Sequence, residues 1–370
     1  MDFANLYDDI DERVVEKLNP ALHGWIQMPE SWHKKFRAAV SQKWRESPSS
    51  IVSYIECPMK WLLERYLIED DSEEVSYHAL LGSLVHRILE VFYNEPSGMR
   101  KKKRLKKIES LTWTELIDGT RTGIVELRLL EEWQSYLHQQ TTGEGMSEGF
   151  VVRDEDEVID EMKREVHKRI ERLYDIDPVP DEIDVISNET WVRTSKNGIQ
   201  VNGKIDRIAK DSDTDLEIIQ DYKTGRTPFG DPDVHILEDA FIPSGLYALM
   251  RSTISRNISD SGVVQAVELL YLNESTVYEI EIGTEEIDLA DNLLEAVTRE
   301  MKFSLETGDI KLCPAKSSDT DKPCRFCPVS GLCPAFADEE AEPYDELEDE
   351  LPYLWDNVRS DSDTTLEEVS

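Results

Sequence analysis

Two aspartates and a lysine define the chemistry open to this chain. Asp206 lies in the run Val201-Asn202-Gly203-Lys204-Ile205-Asp206-Arg207, and Asp221-Tyr222-Lys223 follows fifteen residues later. Alternate side chains of a strand share a face, so Asp221 and Lys223 point the same way. The stretch from Lys210 to Asp215 reads as a polar turn; if it folds the two runs into a hairpin, Asp206 and Asp221 converge. Ile218-Ile219-Gln220 is an apolar lead-in to Asp221, and Thr224-Gly225 turns the chain just past Lys223. A buried acid needs a partner, and a metal ion is a natural one. Two carboxylates and an ammonium around a hard ion, Mg²⁺ or Mn²⁺, suit metal-dependent phosphodiester hydrolysis.

His86 is the next candidate, in Leu81-Gly82-Ser83-Leu84-Val85-His86. A lone histidine is more often structural than a ligand, but Glu90 lies four residues on and shares its helical face. His86 reads as a metal ligand and Glu90 as its orienting neighbour or a plain surface acid. Gly82 permits that helix to approach another backbone closely.

A second constellation is sulfur. Four of five cysteines, Cys313, Cys324, Cys327 and Cys333, fall within 21 residues, and Cys57 lies far upstream. Cys324-Arg325-Phe326-Cys327 followed by Cys333 supplies three thiolates at ligand spacing, for zinc or an iron–sulfur cluster. The fourth ligand is either local Cys313, making a self-contained knuckle, or remote Cys57, tying the two ends of a domain together.

Composition bounds these readings. A chain of 370 residues with 39% hydrophobic content can bury a sizeable core, as one elaborated domain or two modest ones. No apolar run approaches the ~20 residues of a membrane span, and Met1-Asp2-Phe3-Ala4-Asn5 lacks a signal-peptide core. A cytoplasmic, non-membrane protein is expected, where disulfides are rare. The net charge of −37 reads as a solvated acidic surface suited to high salt. It counts against a simple basic-groove DNA binder. The exception is Arg100-Lys101-Lys102-Lys103-Arg104-Leu105-Lys106-Lys107, seven positive charges in eight residues, which is either a solvated loop or a nucleic-acid contact.

The elements that must position these residues follow from periodicity. Residues 1–50 read as a Trp-containing helical extension. Ser49 and Ser50 read as caps of a helical segment from Ile51 to Leu67, kinked or split at Pro58. An amphipathic helix is expected over 80–93. From about 96 to 184 the chain reads as a helical insertion, with helices at 111–139 and 155–174. Strands are expected at 185–194, 199–209, 216–223, 263–272 and 276–282, and helices at 239–255 and 285–306. Residues 338–370 form an acidic tail, read as disordered or loosely docked.

Taken in order, the motifs resemble a known family. Tyr54-Ile55-Glu56-Cys57-Pro58, Gly82 to His86, Gly203 to Arg207 and Asp221-Tyr222-Lys223-Thr224-Gly225 are similar to the series in RecB-like nucleases of the PD-(D/E)XK superfamily. With Cys324, Cys327 and Cys333 they resemble the iron–sulfur branch, of AddB type or like the CRISPR-adaptation exonucleases, over about 51–337. The resemblance implies an α/β, restriction-endonuclease-like fold: a mixed sheet flanked by helices, with a helical insertion and a cysteine-rich C-terminal staple at about 313–334. It implies His86, Asp206, Asp221 and the Tyr222 backbone carbonyl as metal ligands, with Lys223 positioning water or stabilising the transition state. Cys57, Cys324, Cys327 and Cys333 would hold a structural [4Fe–4S] cluster, leaving Cys313 as a spare. Tyr247 fits the family's helix after the active strand, but the Gln expected a few residues before it is missing from Phe241-Ile242-Pro243-Ser244-Gly245-Leu246-Tyr247. That puts the DNA-backbone contact there in question; Tyr247 and Arg100 to Arg104 remain the candidate DNA contacts. The resemblance implies DNA as substrate, exonuclease action, and a helicase or CRISPR-adaptation proteins as partners. Two other readings compete: a non-catalytic DNA-binding or helicase-associated subunit of the same fold, and a zinc-ribbon scaffold with Cys313 as fourth ligand.

Overall fold

The computed structural model describes residues 6–18, 24–68, 77–93, 155–176, 184–211, 213–225, 227, 232–256, 264–312, 327, 329 and 332–334. The expected helix at 111–139, the basic run 100–107, Cys313, Cys324 and the tail 338–370 lie outside them.

The described chain begins with helix α1 (Glu12–Leu18), strand β1 (Trp25–Gln27), helix α2 (Glu30–Val40) and strand β2 (Arg45–Glu46). Helix α3 (Pro48–Glu56) is capped by Ser47, whose side chain accepts from Ser50 N–H at 3.1 Å, with Pro48 in the first turn. The cap is therefore Ser47, upstream of the expected Ser49 and Ser50. Cys57 ends α3 in an extended conformation and caps α4 (Pro58–Leu62), its sulfur accepting from Lys60 N–H at 3.4 Å. Proline after Cys57 removes a backbone donor, so the chain makes two short helices here. A π-helical turn, Leu63–Leu67, follows.

Helices α5 (Tyr77–Tyr93) and α6 (Glu155–Ile176) come next. Then β3 (Asp184–Lys196) and β4 (Ile199–Lys210) form a long antiparallel hairpin. Its two-residue turn is Asn197-Gly198, both with positive φ (52° and 82°), the conformation that matches strand twist and that Asn-Gly favours. Strand β5 (Glu217–Lys223), helix α7 (Pro232–Arg256), strands β6 (Val264–Tyr271) and β7 (Thr276–Glu281), helix α8 (Thr284–Thr307) and strand β8 (Asp309–Lys311) complete the described order.

The main sheet is mixed. β4 pairs antiparallel with β5, β5 parallel with β6, and β6 antiparallel with β7, while β2 joins β4 in parallel at Gln200 and Val201. Parallel β5 and β6 need a crossover, and the chain between them contains α7. β1 pairs with β8 in a separate two-stranded sheet.

Alternation along the strands fills two cores. On one side Ile205, Ile219, Val267 and Leu269 join Phe36, Tyr54, Trp61, Leu246 and Leu294. Residues from α1, α2 and β2's approach (Val14, Phe36, Trp44) belong to this same core. On the other side Tyr222, Leu270 and Leu272 meet Val85, Ile88 and Leu89 of α5 and Met162, Val166 and Ile170 of α6. Burying each such Leu, Ile or Val contributes about 1.5–3 kcal/mol, so α6, within the expected insertion, is a packed layer holding α5 on the sheet. Among the described residues no helix is long and apolar enough to cross a membrane.

Among the described residues, the buried charged side chains have partners. Glu46, 2% exposed, accepts from Trp44 Nε1 at 2.8 Å and also from Ser50 and Tyr66 hydroxyls. Lys311 bonds Glu300, Tyr7 and the Leu18 carbonyl, joining β8 to α8 and the N-terminal segment. Arg251 forks onto Glu217 with two 2.7 Å bonds, tying α7 to the start of β5.

Candidate active site

The β4–β5 register places Arg207 opposite Gln220, so Asp206 and Asp221 come next to each other where the two strands part. Their carboxyl groups lie close enough to interact electrostatically. Tyr222 N–H donates to Asp206 Oδ2 at 2.8 Å. Lys223, two residues along β5 from Asp221, forms an ion pair with it, as the shared face requires.

His86 arrives from α5. Its Nδ1 lies 3.1 Å from Asp206 Oδ1 and its Nε2 lies 3.1 Å from the Tyr222 carbonyl oxygen. A carbonyl and a carboxylate both accept, so this geometry suits the doubly protonated imidazolium. Two close packings bring α5 here. A Cβ on Gly82 would sit 3.3 Å from Thr224 Oγ1, so the small residue lets the helix press on the turn that follows Lys223. Arg169 of α6, 7% exposed, donates to the Thr224 carbonyl at 3.0 Å and to Glu165 at 2.6 Å, fixing the same turn.

Two acids face each other across the hairpin. Counting outward from Asn197-Gly198 puts Glu189 opposite Asp206, between the pairs Asn188–Arg207 and Thr190–Ile205. Glu189 has positive φ (49°), lies 3.9 Å from His86 Nδ1 and pairs with Lys204. One ligand atom each from His86, Glu189 and Asp206 lies within 4.8 Å of the others. That spacing could hold a cation, and Glu189 was not among the residues expected. Its one sequence signal was the Asn-Gly turn, which fixes the register of the whole hairpin. Beside the cluster a cavity of about 370 Å³ opens between Ser83, His86, Glu90, Glu189 and Lys204. Glu90 is engaged by Arg87 at 2.6 Å and lines this cavity.

The electrostatics follow from burial and crowding. Burial, together with the neighbouring Asp206 charge and against the pull of Lys223, pushes the Asp221 carboxyl up to about 6. Burial also raises Asp206, but His86 and the Tyr222 N–H outweigh it and hold its pKa below the ordinary value. For His86 burial favours the neutral ring; Asp206, Asp221 and Glu189 overcome that and raise it. Lys223 is likewise raised, Asp221 prevailing over burial, so its ammonium persists at neutral pH. Three acids meet one imidazole and two ammoniums here, Lys223 on Asp221 and Lys204 on Glu189, and the carboxylate oxygens left over could bind a divalent cation.

Tyr247 of α7 packs over Gly203 of β4. A Cβ on Gly203 would stand 2.6 Å from its ring, so only glycine admits it. Burial and the charges of Asp221 and Asp206 push its hydroxyl up to about 12. Of the expected cysteine ligands, Cys57 is buried and Cys327 and Cys333 pack against the same core cluster; Cys324 is outside the described residues.

The model of the PD-(D/E)XK nuclease superfamily matches residues 45–334. The chain belongs to that superfamily. Its nucleases use divalent metals, and the donors gathered here, carboxylates, an imidazole and a carbonyl, fit such an ion. None of the curated proteins matches. Solved structures of low similarity include a protein from Eubacterium rectale named "Putative exonuclease", at 9% identity and TM-score 0.38, covering 80% of this chain and 96% of that one. Another is SSO0001, at 14% identity and TM-score 0.27, covering 55% of this chain and 81% of that one. A third is VC1899 from Vibrio cholerae, at 10% identity and TM-score 0.19, covering 80% and 62%.

Proposed function

We propose that this chain is a Mg²⁺- or Mn²⁺-dependent deoxyribonuclease, acting as an exonuclease in DNA repair, recombination or related DNA processing in the cytoplasm. The observation that carries the reading is the meeting of Asp206, Asp221, Lys223 and His86 at one point of the superfamily fold. Asp206, Asp221, the Tyr222 carbonyl and His86, once its imidazolium has given up one proton, would hold the ion. When bound, it would polarise the scissile phosphate and make water a better nucleophile.

The protein's own groups do the rest. Lys223, kept protonated by Asp221, offers positive charge to the phosphoryl oxygens as negative charge builds on them, and so serves as an electrostatic donor. The Tyr222 N–H and His86 fix the Asp206 carboxylate, so one of its oxygens cannot swing away. In the reaction a water oxygen bonds to phosphorus as the bond to the leaving sugar oxygen breaks, with no covalent enzyme intermediate.

We also propose that Cys57, Cys324, Cys327 and Cys333 hold a structural [4Fe–4S] cluster. Support comes from Cys57, Cys327 and Cys333, which sit against one core although Cys57 is far upstream. Anaerobically purified protein should then be brown, Cys57→Ala colourless and Cys313→Ala brown. The reverse pattern would point to a zinc site built on Cys313.

The decisive test of the enzyme is end-labelled DNA in high KCl with Mg²⁺ or Mn²⁺. Wild type should degrade it from the ends and Lys223→Ala should be slower by roughly 10²–10³-fold. Equal rates would overturn the mechanism.

A further inference from the structure

Trp191 is 69% exposed, the most exposed large apolar side chain among the described residues. It lies mid-strand in β3, next to Val192, which is 1% exposed and fills the core. Alternation therefore holds the indole on the open face of the hairpin, where rotation of the side chain cannot bury it. An indole left in water forfeits a large hydrophobic gain unless something covers it.

What surrounds it specifies the cover. The register pairs Trp191 with Lys204 and Arg193 with Asn202, and paired residues share a face. Lys204, Trp191 and Arg193 are all exposed. In a chain of net charge −37 this face has two cations, Lys204 and Arg193, with the acids Glu189, Glu90 and Asp206 gathered at its inner end. Glu189 is also the acid that reaches His86. The row Glu189, Trp191, Arg193 thus starts at the cation site and leads away from it, with Trp191 roughly 7 Å beyond Glu189 along the strand. Lys204 lines the cavity beside His86 and stands across from the indole, so cavity and row are continuous.

We propose that Trp191, with Arg193 and Lys204, forms a nucleotide subsite next to the catalytic cluster, where an unpaired base of the substrate stacks on the indole. The proposal rests on the nuclease reading and adds the position of the base beside the phosphate being cut. Stacking needs a bare base face, which a strand end or single strand offers and a duplex interior does not. Every base has such a face, so the contact is tolerant of sequence. Arg193 and Lys204 supply charge for the phosphates on either side.

The test uses the full-length protein with end-labelled oligothymidylate in which one position at a time is abasic. Trp191→Ala should lose roughly tenfold or more in kcat/KM, by the usual worth of base stacking on an aromatic ring. Trp191→Phe should keep most of it, and far-UV circular dichroism and Tm should not move in either variant. In wild type one abasic position should reproduce the loss, and the same position should cost Trp191→Ala nothing more. Normal kcat/KM in Trp191→Ala, or additive losses, would overturn the subsite and leave the indole to a protein partner. If wild type cuts no DNA in either metal, the nuclease reading fails by itself. Quenching of tryptophan emission by the oligonucleotide, lost in Trp191→Phe, then decides the subsite separately, and unchanged quenching overturns it.

Discussion

His86 and Asp206 stand 120 residues apart in sequence and 3.1 Å apart in space, and the Tyr222 backbone brackets both. One main-chain unit donates its N–H to the acid and offers its carbonyl to the imidazole. The helix histidine and the strand aspartate are thus set by the same stretch of β5 that carries Asp221 and Lys223.

His86 and the Tyr222 N–H favour the charged Asp206 carboxylate. Asp206→Asn keeps an acceptor for Tyr222 N–H but loses that charge, so metal-free stability at neutral pH should fall. Loss of the charge should weaken Mn²⁺ binding by well over tenfold in titration calorimetry, and unchanged affinity would remove Asp206 from the ligand set.

Asp221 gives a pH dependence with a definite sign. Its folded pKa, about 6, is above the unfolded value of 3.8. Its contribution to metal-free stability is therefore fully present below pH 3.8 and lost as pH rises through 6. Metal-free Asp221→Asn should be more stable than wild type at pH 7.5, by about 1–3 kcal/mol, in urea melts. The same proton competes with the ion, so Mn²⁺ affinity of wild type should fall as pH drops below 6.

Gly203 tests the packing behind the site. Adding a methyl group there drives a Cβ into the Tyr247 ring, with Met250 at 3.0 Å and Pro48 at 3.2 Å. Gly203→Ala should cost about 1–3 kcal/mol. The double variant with Tyr247→Ala should show a smaller added cost than the two single changes summed, which a double-mutant cycle measures.

Arg169 tests the turn after Lys223, the lysine proposed to act in catalysis. Arg169→Ala leaves the Thr224 carbonyl without this donor, at a cost of about 1–3 kcal/mol. It should lower kcat while leaving Mn²⁺ affinity near wild type, since Arg169 reaches Lys223's turn and none of the ligands. A parallel loss of metal affinity would show that it acts through the cluster as a whole.

Much of this geometry was legible because it is short-range. Period-two runs bounded by Gly, Pro and Asp marked β3 to β7, and strand alternation put Asp221 and Lys223 on one side. Gly82 was readable as a close approach, though its neighbour, Thr224, was not. Glu189 was hidden because an acid in an acidic chain carries no signal, and only hairpin register singles it out. Arg169 was hidden differently: its function is a bond to a backbone carbonyl, which no side-chain pattern announces. Helix α6 was legible as amphipathic, whereas its packing on α5 depends on contacts across many residues that periodicity cannot supply.

Order of synthesis gives the small β1–β8 sheet a further meaning. Trp25 pairs with Lys311, and Lys311 reaches back to the Leu18 carbonyl. On the ribosome β1 emerges long before β8, and Glu300 long before its buried cation is within reach. The first described segments cannot settle until residue 311 is free of the exit tunnel. Such long-range closure is slow to form, so a nascent chain stopped at Gly308 should carry His86, Asp206, Asp221 and Lys223 yet remain open to protease at its N-terminal end.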